Sequence, residues 1–412
     1  MSTSLKLATR PLVLPLLVAA AGCSYSARPP EPAVQTQTRT EAAPIDDSAV
    51  SSAPLAANAV VTIDATALGI GQIPTGVYEP PAAPLNTRQV TFASEGADFD
   101  PCLTPDGAKL VFASTQHRPT PDIYIKNVDG RVVTQLTDDA ASDATPSVSP
   151  DGTRIAFASD RSGNWDIYVM PITGGRAVQV TFDPSDEIHP SWSPDGTQLV
   201  FCRHGASSQR WEMWLTDVAT QATSSFIGYG VFPSWCPVAG TGADGADQIL
   251  FQLGRERGQH SFAIWTVDIK VGQAMNSTEV ASSSAAAFIN PAWSPDGKRI
   301  VFASVPAKAA WRDSNGARPT SAELWMVSVE GEGKVNLTPG RTVALMPCWG
   351  SDNRLYFVGA NGDVENVWSL DATPAVRTAM GMNSMPATAT GGLPGEGPGG
   401  ATAEVDTQDG QN

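Results

Sequence analysis

The sequence predicts an all-β protein, a six-bladed β-propeller whose last blade is closed by a strand from the N-terminal end. Three observations predict it. The first is repetition at a fixed period. "HPSWSPDGTQLVF" (189–201) returns as "NPAWSPDGKRIVF" (290–302) and "TPSVSPDGTRIAF" (145–157). The Pro that opens each unit stands at Pro101, Pro146, Pro190, Pro233, Pro291 and Pro347, with spacings of 45, 44, 43, 58 and 56. Repeats of this length are propeller blades, each too small to hide both apolar faces alone, so a ring lets each cover its neighbour. The second is an internal grammar of four short strands. The third is a strand left over at one end and missing at the other.

In chain order, Met1–Gly22 carries Lys6 and Arg10, then an apolar run over 12–21, then Gly22-Cys23. That is a secretory signal whose apolar run is too short to span a bilayer. "AAGC" resembles a bacterial lipobox with Cys23 as the lipidated residue, although Ala20 stands where Leu is usual; an ordinary cleaved signal is the alternative. Residues 23–85, rich in Ala, Pro, Thr and Ser, bury too little apolar surface to order and read as a tether.

The propeller covers 86–372. Each unit opens with a short strand such as "PSWS" (190–193). "PDG" follows, in which Pro presets the turn, Asp bonds its own backbone and Gly takes the left-handed position. A second strand ("QLVF", 198–201), a third ("DIYVM", 166–170) and a fourth ("AVQVTF", 177–182) complete a meander. The sixth unit shows only three strands, and "RQVTF" (88–92) supplies its fourth. Trp192, Trp235, Trp293 and Trp349 recur at one place and read as wedges between blades. Residues 373–412 read as a disordered, Gly-rich acidic tail.

"SPDGTRIAFASDRSGNWDIYVMPITGG" (149–175) resembles the repeat of TolB-type, WD40-like (PD40) six-bladed propellers. The likeness is strong in units one, two, three and five. Unit four has "PVAGTGADGADQ" and unit six "GSDN" in place of the turn motif. The α/β domain that precedes the propeller in that family has no counterpart in the low-complexity segment here. The resemblance therefore implies the propeller's role alone.

Net charge is −16, near −18 without the signal, which argues against nucleic acid and an anionic membrane surface as partners. The loops entering the blades are the candidate site. Three residues before each Pro stand Asp98, Asp143, Glu187, Gly230, Phe288 and Ala344; immediately before it stand Asp100, Thr145, His189, Phe232, Asn290 and Met346. Around a closed ring these positions form a channel mouth, acidic on one side and largely apolar on the other. A protein or peptide with a basic and an apolar side would suit it, though Asp98 and Asp143 also suit plain turn capping. Unit five carries an insertion with Trp311 beside Arg312, a pair that interfaces favour and that equally packs back as a surface loop. The expected protein is a monomeric envelope scaffold on the periplasmic side, meeting the membrane only through its lipid.

Enzymatic chemistry finds little footing. No G-x-S-x-G and no phosphate loop occur. The alternative is a metal-assisted, carbohydrate-active propeller resembling the lyases, which use His and metal on this face. Of His117, His189, His204 and His260 only His189 falls near the mouth, and surface histidines are the reading preferred. No cofactor is expected. Ca²⁺ is the cation that carboxylates of neighbouring loops would take, without EF-hand spacing to support it. Cys102, Cys202, Cys236 and Cys348 lack metal-ligand spacing. Cys102 and Cys348 hold equivalent places in adjoining blades, but ring symmetry aims Cys348 at blade one and Cys102 at blade two. That opposes a disulfide and leaves all four as small buried residues.

Overall fold

The computed structural model describes residues 87–221, 225–254, 262–306, 319–341, 343–361 and 364–379. The signal segment, the tether, Cys23, Trp311, Arg312, His260 and most of the tail lie outside them. The described residues fold into six four-stranded antiparallel sheets.

β1 (Thr87–Gln89) is followed by blade one: β2 (Asp98–Leu103), β3 (Lys109–Ser114), β4 (Asp122–Asn127) and β5 (Val133–Gln135). Blade two holds β6 (Asp143–Val148), β7 (Arg154–Ser159), β8 (Asp166–Pro171) and β9 (Val178–Gln179). Blade three holds β10 (Glu187–Trp192), β11 (Gln198–His204), β12 (Trp211–Asp217) and β13 (Ser225–Tyr229). Blade four holds β14 (Val231–Trp235), β15 (Asp247–Gly254), β16 (Phe262–Lys270) and β17 (Gln273–Ala281). Blade five holds β18 (Ala286–Trp293), β19 (Arg299–Pro306), β20 (Glu323–Ser328) and β21 (Val335–Asn336). Blade six holds β22 (Ala344–Trp349), β23 (Arg354–Asn361) and β24 (Val364–Asp371), and takes β1 as its outer strand. Arg88 pairs with Ser369, so the leftover strand closes the last blade as expected.

The turn motif closes on itself. In blade three Ser193 Oγ donates to Asp195 Oδ1 at 2.6 Å and accepts the Gln198 N–H at 2.9 Å, while Asp195 Oδ1 accepts the Thr197 N–H at 3.0 Å. Gly196 sits at φ +68, the left-handed conformation that a side chain resists. The same box recurs at Thr104–Asp106, Ser149–Asp151 and Ser294–Asp296, which is why these four letters recur in the sequence.

The core lies between blades. Ala156, Ile167 and Val169 of blade two meet Trp192, Leu199 and Phe201 of blade three in one cluster. Trp192 Nε1 donates to Ser147 O and Trp293 Nε1 to Ser234 O, each in the preceding blade, so these two indoles do wedge between sheets. The second strands bury Phe112, Phe157, Phe201, Phe251, Phe302 and Phe357 at one equivalent place.

One expectation is corrected at the C-terminal end. Residues 373–379 are not part of an unstructured tail but form the helix α1 (Thr373–Ala379). Asp371 Oδ1 accepts the Thr373 N–H at 2.9 Å, Pro374 sits in the first turn, and Ala375 and Val376 are buried in the largest apolar cluster. The general composition of the tail hides this short apolar-faced segment.

Candidate functional site

The innermost strands β2, β6, β10, β14, β18 and β22 each break register at the opening Pro. The residue before the Pro takes a left-handed backbone in all six blades: Asp100 (φ 50), Thr145 (52), His189 (56), Phe232 (53), Asn290 (51) and Met346 (49). None is Gly, and each such conformation costs about 1–2 kcal/mol. A bulge of this kind leaves two residues unpaired against the second strand, and Pro, lacking an N–H, leaves no donor wasted there.

The bulge passes contacts around the channel from blade to blade. Thr145 N–H donates to Asp100 Oδ2 at 3.1 Å, and His189 N–H to Thr145 Oγ1 at 3.3 Å. The His189 and Phe232 rings lie 4.0 Å apart. Asn290 N–H donates to Gln252 Oε1 at 2.7 Å. Asp100, His189 and Phe232 are half-buried, whereas Thr145, Asn290 and Met346 are buried. Three polar atoms here, His189 Nδ1, Asn290 Oδ1 and Gln252 Nε2, have no protein partner. Burial pushes the His189 pKa down to about 3, so the imidazole is neutral across the physiological range.

The outer set departs from expectation. Asp98, Asp143, Glu187 and Phe288 do not line the mouth; their exposures are 2%, 0%, 0% and 1%. Asp98 Oδ1 accepts Ser114 Oγ–H at 2.6 Å. Asp143 takes both oxygens to Arg161, at 2.9 and 3.0 Å. Glu187 Oε1 accepts Arg203 Nε–H at 2.8 Å. Each Arg then lies over an aromatic ring, Arg161 over Tyr168 and Arg203 over Trp214. The Phe288 ring packs at a tilt against Phe302 with centres 4.6 Å apart, and Lys334 Nζ lies 4.1 Å from the Phe288 ring centre. The groups that cover them come from the second strand (Ser114, Arg203, Phe302), from the loop after it (Arg161) and, at Phe288, also from Lys334. The acidic ring is thus a set of structural ties, not an exposed acidic funnel.

Burial raises the carboxyls of this face. Asp98 and Asp143 stand above their ordinary value, Asp122 at about 6 and Glu187 at about 7. Glu187 Oε2 has no hydrogen-bond partner, and the Asp166 carboxylate adds to the burial that raises Glu187. Asp166 itself accepts from Ser162, Asn164 and Gln179. Asp100 is raised to about 7, first by burial and then by the nearby Glu365 carboxylate, against the Thr145 N–H. A folded-state pKa above the unfolded one adds stability below the unfolded value, lost as pH rises through the folded value. Asp100 therefore stabilises the fold fully below about pH 3.8 and loses that contribution through about pH 7. Asp100→Asn keeps the acceptor for Thr145. It should raise stability at pH 8 by on the order of 1–2 kcal/mol and leave pH 4 unchanged. Urea unfolding at the two pH values measures this, and equal gains at both would refute the assignment.

Among the described residues no group of three or more His, Cys, Asp or Glu could hold a metal ion. His117 lies against Tyr124 and His204 against Trp211. No helix among the described residues is long and apolar enough to cross a membrane.

Residues 83–239 match the family model described as the TolB beta propeller domain, PD40. Among solved structures, a TolB-designated protein of Agrobacterium tumefaciens is 24% identical with a TM-score of 0.47, over 58% of this chain and 80% of its own. TolB from Acinetobacter baumannii is 16% identical with a TM-score of 0.50, over 65% of each chain. Oligogalacturonate lyase from Vibrio parahaemolyticus is 12% identical with a TM-score of 0.46, over 70% of this chain and 97% of its own. No curated protein matches. The repeat is thus of the TolB PD40 type, as its residues suggest, and the structural likeness is one of fold.

Proposed function

We propose that this chain is a non-enzymatic scaffold of the bacterial cell envelope, similar to the TolB propeller, that grips a protein or peptide at the channel ring. The observation that carries this is the strained inner ring itself. Six left-handed residues hold a half-buried, tilted His189–Phe232 ring pair on the channel side. A partner side chain covers the half-exposed Phe232 ring, and partner polar groups meet the half-buried Asp100 at the same inner ring. Because His189 is neutral and the carboxylates at the −3 position are buried and tied, recognition rests on hydrogen bonds and stacking more than on charge. In this reading the propeller stands on the periplasmic side, tethered through residues 23–85 to a lipid on Cys23.

The test is an affinity capture from solubilised envelope with residues 24–412, beside the variant His189→Ala/Phe232→Ala. The expected result is a protein retained by the natural chain and lost by a variant that still melts cooperatively. Capture of the same proteins by both baits, or of none by either, would overturn the site. Stoichiometric divalent metal in the purified chain would instead support the lyase-like enzyme.

A further inference from the structure

A cavity of about 330 Å³ opens at the seam where the ring closes. It lies between β1 with the residues just after it and the turn from β4 to β5. Arg88, Val90 and Phe92 line one side, and Lys126, Asp129 and Arg131 line the other.

The repeat does not ask for a charge at Lys126. Its place is two residues on from the third-strand aromatic that pairs with the buried Phe of the second strand. There the other blades carry Met170, Thr216, Val267, Val327 and Leu370, all buried. Five blades fill this place with an uncharged side chain, and blade one fills it with a side chain bearing an ammonium, in a residue only 4% exposed. A buried charge costs stability unless a counter-charge and hydrogen bonds meet it. Lys126 Nζ donates to Val90 O, a neutral carbonyl, and among the described residues no carboxylate forms an ion pair with it. Burial, and then the nearby Arg88, hold its pKa below the ordinary value, while Asp98 and Asp129 pull the other way.

The rest of the lining repeats the imbalance. Arg88 Nη1 is 2.8 Å from Asp129 Oδ1, which occupies the carboxylate of the cavity. Arg131 is exposed, and its guanidinium makes no hydrogen bond or ion pair among the described residues. Three cations against one carboxylate leave two positive charges, in a chain of net charge −16. Phe92, 61% exposed, adds an uncovered ring to the same wall.

We infer that this cavity binds a small organic phosphate monoester with an aromatic stem. Such a group carries about −1.5 to −2 charge at pH 7, which matches the two positive charges left over, whereas a carboxylate would leave one unmet. Lys126 meets the phosphate as a point charge and Arg131 with its planar fork of N–H donors. The stem lies against Phe92. A bound phosphate joins β1 to blade one, so occupancy also fastens the closing strand. This inference does not rest on the binding at the channel ring proposed above.

The probe is phenyl phosphate, titrated calorimetrically into the full chain at physiological salt. Saturable binding to a single site is expected. Arg131→Ala removes an exposed side chain without a described partner, so the fold stays intact. It should weaken binding about tenfold, the worth of one charge-assisted hydrogen bond. Lys126→Met installs the residue that blade two carries, and it should abolish binding in a chain that still melts cooperatively. Should that variant fail to fold, Arg131→Ala decides alone. Inorganic phosphate should bind more weakly than phenyl phosphate, and phenol should not bind. No binding of phenyl phosphate, or equal binding by Arg131→Ala, would overturn the site. Phenol binding as tightly as its phosphate would overturn the role of the cations, and inorganic phosphate binding as tightly would overturn that of Phe92.

Discussion

Arg203→Ala should destabilise the protein by about 3–5 kcal/mol at pH 8. Arg203 lies between Glu187, Asp183 and Trp214: Nη2 is 2.7 Å from Glu187 Oε1, Nη1 is 3.1 Å from Asp183 Oδ2, and the guanidinium is 4.2 Å from the Trp214 ring centre. Removing the guanidinium leaves the fully buried Glu187 beside Asp166 with no cation to offset either charge. The loss should shrink at pH 5. Glu187 has a folded-state pKa of about 7 against an ordinary 4.5, so it is neutral there and asks less of Arg203. Glu187→Gln supplies the second arm. The amide carries no charge for Arg203 to offset, so Glu187→Gln/Arg203→Ala should recover much of the stability lost at pH 8. Urea midpoints for the four proteins at both pH values decide the matter. A loss equal at pH 5 and pH 8, and unrelieved by Glu187→Gln, would show that Arg203 acts by packing on Trp214 instead.

This pair also marks the boundary of what sequence could reveal. The positions of Asp98, Asp143 and Glu187 follow from counting back from Pro, and their sequence equivalence is real. Their direction does not follow, because the groups that claim Asp143 and Glu187 come from the end or far side of strand two. Arg161 is 18 residues from Asp143 and Arg203 is 16 from Glu187. No local pattern says that those guanidinium groups fold back. The turn boxes were legible because every bond in them runs within five residues. The inner ring was legible in place but not in conformation: Asp, Thr, His, Phe, Asn and Met share no chemistry that announces a left-handed backbone. The signal was their common setting before a Pro in an inner strand.

The closing strand is the most consequential feature that the repeat pattern exposed, and its removal should be the most damaging change. A chain beginning at Thr87 should melt cooperatively. A chain beginning at Ala93 should fail to, and should aggregate. The second truncation removes β1 and the segment after it. Val90 and Thr91 N–H groups both donate to Val367 O, at 2.8 and 3.2 Å. Thr91 Oγ1 accepts the Val367 N–H at 2.9 Å, and Lys126 Nζ donates to Val90 O. Val90 itself is 4% exposed and packs with Leu103, Tyr356 and Val367 across the seam. At about 1 kcal/mol for each hydrogen bond, 1.5–3 for a buried Val and 1–3 for each stranded polar group, the loss is of order 5–10 kcal/mol. That is comparable to the whole stability of a typical domain. It also bares β24 as an unprotected edge, which invites pairing with another chain. The strand is separate from the rest of its blade by the length of the ring, so it can be returned in trans. A peptide spanning 86–93 should restore a cooperative melt to the shortened chain, in proportion to its concentration. Restoration by a peptide with Val90→Asp would mean that any extended segment can cap the edge. A shortened chain that melts as well as the longer one would mean that the ring holds closed without its strand.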